Sequence, residues 1–197
     1  MRIATLILSA GKSTRMGTAK QILKVGDTTL LGRSIEQALQ SKANSVFCLL
    51  GSNYKVIRDT IKSYDVTPII NTNYNKGLST SIYAGIDHIK DKNFDAVLIL
   101  LGDQPKVDAD FINVLIDSFE TSPNQISASG YSGSIGVPAI FPKTYYTQLQ
   151  DLKGDKGAKE LLNKSYTKVI PISNDQLIDI DTKEDYHQFL KSLGKTS

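Results

Sequence analysis

The chain has 197 residues, 40% hydrophobic and 22% charged, with 14 Gly and 6 Pro, ordinary usage for a single globular domain with a substantial core. Its 23 basic and 20 acidic side chains leave a net charge of +3, too balanced for bulk nucleic-acid binding and allowing at most a local basic patch. The single cysteine, Cys48, excludes a disulfide framework and a thiolate metal cluster.

The first element is "IATLIL" (Ile3 to Leu8). Arg2 before an apolar stretch has the outline of a signal peptide. The stretch is short, however, and runs into a charged loop, so it reads as a buried first strand. No apolar run is long enough to span a bilayer, and a cytoplasmic protein is expected. "SVFCLL" (Ser45 to Leu50), "VTPII" (Val66 to Ile70) and "DAVLILL" (Asp95 to Leu101) are similar near-continuous apolar runs. Such runs suit strands of a parallel sheet covered on both faces, which makes Cys48 a core thiol.

Amphipathic segments lie between the strands. Leu78, Ile82, Ile86 and Ile89 fall at helical spacing, as do Phe111, Val114, Leu115 and Phe119. Residues 120–136, "ETSPNQISASGYSGSIG", read as a strand followed by a flexible loop near a substrate. "VPAIF" (Val137 to Phe141) and "KVIPI" (Lys168 to Ile172) read as later strands. A last helix carries Tyr186, Phe189, Leu190 and Leu193 on one side, with Thr182 or Asp181 as its cap. His88 and His187 fall on helices as surface residues, apart from any metal-ligand spacing. The alternation predicts a Rossmann-like three-layer αβα sandwich with a mostly parallel sheet. Ligands then bind at the carboxyl ends of the strands, in the loops after Leu8, Ile70 and Leu101.

The first of these loops, "LSAGKSTRMG", contains Gly-Lys-Ser-Thr. A Walker A loop needs Gly-x-x-x-x-Gly-Lys-Ser/Thr, and the place of its leading glycine is held by Leu6, inside the strand. A dinucleotide fingerprint fails as well, because Gly11 and Gly17 lack the Gly-x-Gly start. The small Ser9-Ala10-Gly11 turn still lets backbone amides approach phosphate oxygens. Lys12, Arg15 and Lys20 cluster around it, and the first acid of the chain is Asp27. A triphosphate suits that arrangement.

"LSAGKSTRMGTAKQIL" resembles the "L-A-A-G-x-x-x-R-M-G-x-x-K" signature of the nucleotidyltransferases that include the molybdenum cofactor enzymes, and is most similar to the molybdenum cofactor cytidylyltransferases. Related guanylyltransferases typically carry Ala-Gly-Gly where this chain has Ser9-Ala10-Gly11. The pair Lys20-Gln21 followed by Leu23 is shared with methylerythritol-phosphate cytidylyltransferases. The resemblance implies a single domain of the nucleotide-diphospho-sugar transferase type over residues 1–197. It also implies nucleotide contacts from Ser9, Ala10, Gly11, Lys12, Arg15 and Lys20, with Arg15 and Lys20 catalytic.

Three later blocks extend it. "GLSTSIYAG" (Gly77 to Gly85) is by itself a helix-capping signal; in the family a serine here contacts cytosine, and Ser81 is the matching position, although Leu78 replaces the arginine of the methylerythritol enzymes. "LILLGDQPKV" (Leu98 to Val107) ends a strand with a carboxylate that projects into the ligand crevice or caps the next turn. It resembles the metal-binding "D-Q-P" motif and makes Asp103 the main Mg²⁺ ligand. "LIDIDTKEDYHQFL" (Leu177 to Leu190) resembles "D-I-D-T-P-E-D". Asp181 is there the second metal carboxylate, with Asp179 as the alternative, or a helix cap completed by Glu184.

On the acceptor side, "GVPAIFP" (Gly136 to Pro142) has Val137 where the family often has histidine, and "GDKGAKELL" (Gly154 to Leu162) has Lys159 where arginine is frequent. The resemblance implies transfer of CMP from CTP to the phosphate of molybdenum-bound molybdopterin, with Mg²⁺ and release of pyrophosphate. It implies a molybdenum hydroxylase of the xanthine dehydrogenase type as recipient, and no nucleic-acid or membrane partner. Two alternatives stay open. One is a transferase on the same scaffold using GTP or a sugar or methylerythritol phosphate. The other is a non-catalytic carrier of the molybdenum cofactor.

Overall fold

Alternation of side chains along β1 (Ile3–Ser9) divides the core in two. Ala4, Leu6 and Leu8 enter one apolar cluster and Ile3 and Ile7 the other, as the two-residue period of a strand requires. A computed structural model describes residues 1–131, 134–155, 157–164, 169–173 and 177–194 of the chain. A short hairpin, β2 (Lys24–Val25) and β3 (Thr28–Thr29), follows β1 and leads into α1 (Leu30–Gln40). Next come β4 (Ser45–Leu50), α2 (Tyr54–Ile61), β5 (Thr67–Ile70), α3 (Ser79–Ile89), β6 (Ala96–Leu101) and α4 (Ala109–Thr121). The described chain ends with β7 (Ile126–Tyr131), β8 (Ser134–Pro142), α5 (Tyr146–Gln150), α6 (Gly157–Lys164), β9 (Val169–Ser173) and α7 (Lys183–Ser192).

The main sheet has the order β5-β4-β1-β6-β8-β7-β9. Every pairing is parallel except the two made by β8. Residues of α3, α5 and α6 join one core cluster, and residues of α1, α2 and α4 join the other. The result is the αβα sandwich with a mostly parallel sheet that the apolar runs predict. Cys48 is fully buried, and burial pushes its thiol up to about 12, so it packs and does not react. Among the described residues no helix is long and apolar enough to cross a membrane.

The stretch 120–136 departs from expectation. Strand β7 is present, but β8 begins at Ser134 and pairs back on it antiparallel, so a hairpin replaces most of the expected flexible loop; residues 132 and 133 lie outside the described residues. The serines of β7 are small because they are interior. Ser127, Ala128 and Ser129 have no exposed surface, and Ser129 Oγ donates to the carbonyl of Pro138 at 2.7 Å. Ser129 is thus satisfied within the sheet, whereas Ser127 Oγ is buried without a partner. Lys168, expected to open the last strand, also lies outside the described residues, and β9 runs from Val169.

Candidate active site

The chain leaves β1 toward β4 on one side of the sheet and returns to β6 on the other. The carboxyl ends of β1 and β6 therefore form the switch point at which open α/β sheets bind ligands. The loops after the two strands meet there because Gly102 has no side chain. A Cβ on Gly102 would stand 2.9 Å from Ser9 Oγ and 3.1 Å from Leu31 Cδ1. Between the loops opens a cleft of about 320 Å³ whose walls include Ser9, Gly11, Lys20, Ser81, Asp103 and Asp181.

The Ser9–Ser13 loop is shaped by a buried amide. Gln21 is 3% exposed, and its Nε2 donates to the carbonyls of Ser9 at 3.0 Å and Gly11 at 3.1 Å. Ser13, in the left-handed region at φ 54°, donates from Oγ to Gln21 Oε1 at 3.4 Å and accepts from the Lys20 amide at 3.2 Å. With the loop carbonyls held toward Gln21, its other side is free for a ligand. The Gln21→Ala variant removes the side-chain donor from both carbonyls. We expect it to unfold about 1–3 kcal/mol more easily, the usual cost of unpaired buried polar groups, as read by urea titration.

Lys20 stands at the centre of the charged cluster. Its ammonium lies 2.5 Å from Asp103 Oδ2 and 3.0 Å from Asp181 Oδ1, and donates to the carbonyl of Ile180 at 3.0 Å. Arg15 Nη2 lies 3.0 Å from Asp181 Oδ2, on a largely exposed side chain. Burial works to lower the Lys20 pKa, but Asp103 and Asp181 outweigh it and hold the group above its ordinary value. Burial pushes the Asp103 carboxyl up against the pull of Lys20, with Asp179 and Asp181 adding to the rise. Burial opposes the shift at Asp181, where Lys20 and Arg15 prevail and hold the carboxyl low.

Asp181 reaches the cleft because of how α7 begins. Thr182 is the N-cap, accepting from the Asp185 amide at 3.1 Å, and Asp185 Oδ2 accepts from the amides of Thr182 at 2.8 Å and Asp181 at 3.1 Å. The capping box is therefore Thr182 with Asp185, in place of Asp181 with Glu184, and the Asp181 carboxylate is left for the site. The helix is seated by Phe189 and Ile180 against Val25 and Leu30. Tyr186 Oη adds a hydrogen bond to the carbonyl of Lys24 at 2.6 Å.

Ser9, Ala10, Gly11, Arg15, Lys20, Ser81, Asp103 and Asp181 all line the cleft. Lys12 does not join the ion cluster; its ammonium lies 5.9 Å from the centroid of the Tyr74 ring. Asp179 accepts from Gln104 Nε2 at 2.9 Å, so Asp181 is the carboxylate that shares Lys20 with Asp103. Lys159 is exposed on α6 and is not part of the cleft lining, whereas Asp155 is, with its Oδ1 accepting from the Leu78 amide at 3.2 Å. Sequence reasoning passes over Asp155, Tyr74 and Asn71, and it registers Gln21 only as half of the Lys20-Gln21 pair.

The residues present fit a hard divalent cation. Asp103 Oδ1 is buried without a hydrogen-bond partner, an orphaned acceptor of the kind a cation satisfies. Among the described residues no group of three or more His, Cys, Asp or Glu gathers for a metal. Asp103 and Asp181 would be the protein donors for such a cation, with ligand phosphates and water supplying the rest of its shell.

The profile of the MobA-like NTP transferase domain matches residues 5–169. The chain is 26% identical to purine catabolism protein PucB of Bacillus subtilis (strain 168), with 96% of each chain covered. It is 25% identical to nicotine blue oxidoreductase of Paenarthrobacter nicotinovorans, covering 95% of this chain and 96% of that one. A probable molybdenum cofactor guanylyltransferase of Natranaerobius thermophilus is 25% identical, with 98% of both covered. Among solved structures, Rv0371c of Mycobacterium tuberculosis H37Rv superposes with a TM-score of 0.82 at 27% identity, over 97% of this chain and 99% of that one. The same protein in complex with manganese gives 0.79 at 25% identity, over 97% and 98%.

Proposed function

The chain belongs to the MobA-like NTP transferase family, a family of nucleotidyltransferases, and from that premise we propose that it transfers CMP from CTP to the phosphate of a molybdenum-bound pterin cofactor, releasing pyrophosphate. The observation that carries this reading is the junction of Lys20 with Asp103 and Asp181 beneath the Ser9–Ser13 loop. It joins cations for a triphosphate to carboxylates for a divalent metal in one cleft. The choice of CTP is supported by Ala10, which lines the cleft. It stands where the guanylyl-type loop carries glycine.

A phosphate monoester is largely ionised at neutral pH, its second pKa being about 6, so the acceptor needs no strong base. The protein has to hold an acceptor oxygen in line with the α-phosphorus, opposite the departing pyrophosphate. Negative charge grows on the phosphoryl oxygens and on pyrophosphate. Lys20 and Arg15 supply cationic groups to that charge. Asp103 and Asp181 would hold a divalent cation, which when bound would supply Lewis-acid stabilisation of the developing charge. Backbone amides of the Gln21-clamped loop and the Ser81 hydroxyl hold the nucleoside.

A GTP-dependent reaction on the same scaffold is the second reading, favoured by the guanylyltransferase name of the relative from Natranaerobius thermophilus. The test is pyrophosphate release with Mg²⁺ and purified pterin cofactor, run with CTP, GTP, ATP and UTP and then with sugar and methylerythritol phosphates. We expect CTP with the pterin to exceed every other pair at least tenfold. A preference for GTP replaces the cytidylyl reading with the guanylyl one. Pterin binding without pyrophosphate from any nucleotide leaves a cofactor carrier.

A further inference from the structure

Asn71 follows β5 and is 4% exposed. Its Oδ1 accepts from the Asn73 amide at 2.9 Å. Because a backbone amide can only donate, this bond fixes which end of the Asn71 side chain is oxygen. Nδ2 then faces two hydroxyls, donating to Thr80 Oγ1 at 2.8 Å and Ser81 Oγ at 3.0 Å. Thr80 disposes of its own proton on backbone carbonyls, donating to Gly77 at 2.8 Å and Asn73 at 3.1 Å. Ser81 accepts from Asn71, and no acceptor for its proton is found among the described residues. Ser81 is 2% exposed, yet it lines the cleft wall beside Gly77 and Leu78.

We infer that Asn71 is a positioning residue for base selection: by donating to Ser81 Oγ it leaves the Ser81 hydroxyl to act as a donor into the cleft, so the site accepts a base that presents an acceptor there. The inference rests on reading the cleft as a nucleotide site. Ser81 Oγ keeps one lone pair beside its proton, so the selection lies in the proton: a base with no acceptor there leaves a buried donor unpaired, which costs far more than contact with an apolar wall.

Asn71→Asp is nearly isosteric and reverses the polarity. An aspartate at 71 still accepts from the Asn73 amide, but its second oxygen draws the Ser81 proton away from the cleft. The experiment is titration of CTP and of GTP, each with Mg²⁺, into the wild type, Asn71→Asp, Ser81→Ala and the double variant, with inorganic tripolyphosphate as a probe of the phosphate end. We expect Asn71→Asp to weaken the preferred nucleotide by roughly 10- to 100-fold and to leave tripolyphosphate affinity unchanged. The double variant should bind no more weakly than Ser81→Ala alone. Asn71→Ala provides the same cycle without a buried carboxylate: its loss should be smaller and should vanish in the Ser81→Ala background. Additive losses, or an equal fall in tripolyphosphate affinity, overturn the role of Asn71 while leaving the nucleotide site in place. Failure of the wild type to bind either nucleotide overturns the nucleotide reading and this inference together.

Discussion

Asp103→Ala is expected to abolish metal-dependent pyrophosphate release, a fall beyond roughly 10³-fold, which is the scale of losing electrostatic stabilisation of a transferring phosphoryl group. The fold should survive. The main-chain carbonyl of Asp103 accepts from the Ile180 amide at 2.9 Å, a bond that any side chain at 103 preserves, and Lys20 keeps Asp181 and the Ile180 carbonyl as partners.

The isosteric Asp103→Asn variant adds a sign. Burial raises the Asp103 carboxyl in the folded protein. A group raised in this way adds stability only below its unfolded pKa, and that contribution is lost as the pH rises through the folded value. Ionisation of the side chain is therefore a net cost to folding. Asp103→Asn should melt at the same temperature as the wild type or higher at pH 7, while turnover is lost. A protein that keeps its stability only with the carboxylate, or keeps near-normal turnover without it, removes Asp103 from the metal role. The expected split between stability and activity is the mark of a functional site.

What the sequence makes legible follows from burial on both faces. β1, β4 and β6 are read from their apolar runs because such a strand has no polar face to blur the pattern. In residues 120–136 the strand is legible but the start of β8 is not, because Ser134 and Gly136 carry no apolar signal and their place is set by pairing with β7. The cap of α7 is Thr182, one of the two residues the sequence offers. Asp181-x-x-Glu184 and Thr182-x-x-Asp185 are both plausible boxes in the sequence, and the packing of Ile180 and Phe189 decides between them.

In the site, the cations and Asp103 are visible as charges at strand ends, whereas Gln21 and Asn71 are not. An amide's role depends on what lies across from it, here loop carbonyls for one and two hydroxyls for the other. Proximity in sequence also misleads. Lys12 is within the glycine loop yet lies over Tyr74, while Lys20 reaches Asp181, 161 positions away.

Lys20→Ala is expected to slow nucleotidyl transfer by roughly 2–4 kcal/mol in the barrier, the range for one preorganised electrostatic contact. The loss should lie in kcat, because a cation that meets charge growing at the α-phosphate and on pyrophosphate acts most in the transition state. A change confined to the KM for nucleotide reduces Lys20 to a binding group. The same substitution should act oppositely on the metal. In the wild type the ammonium occupies both Asp103 Oδ2 and Asp181 Oδ1, so a cation entering between these carboxylates must displace it, and nucleotide phosphates offer the displaced charge another partner. Without Lys20, Asp103 loses its ion-pair partner and Asp181 keeps only Arg15. Mn²⁺ should then bind in the absence of nucleotide more tightly than to the wild type, as measured by electron paramagnetic resonance. The variant alone should melt lower, since a buried carboxylate has lost its partner, and Mn²⁺ should restore part of that loss by binding the folded state. Unchanged or weaker Mn²⁺ binding would place the metal away from Asp103 and Asp181, with Lys20 as their permanent counterion.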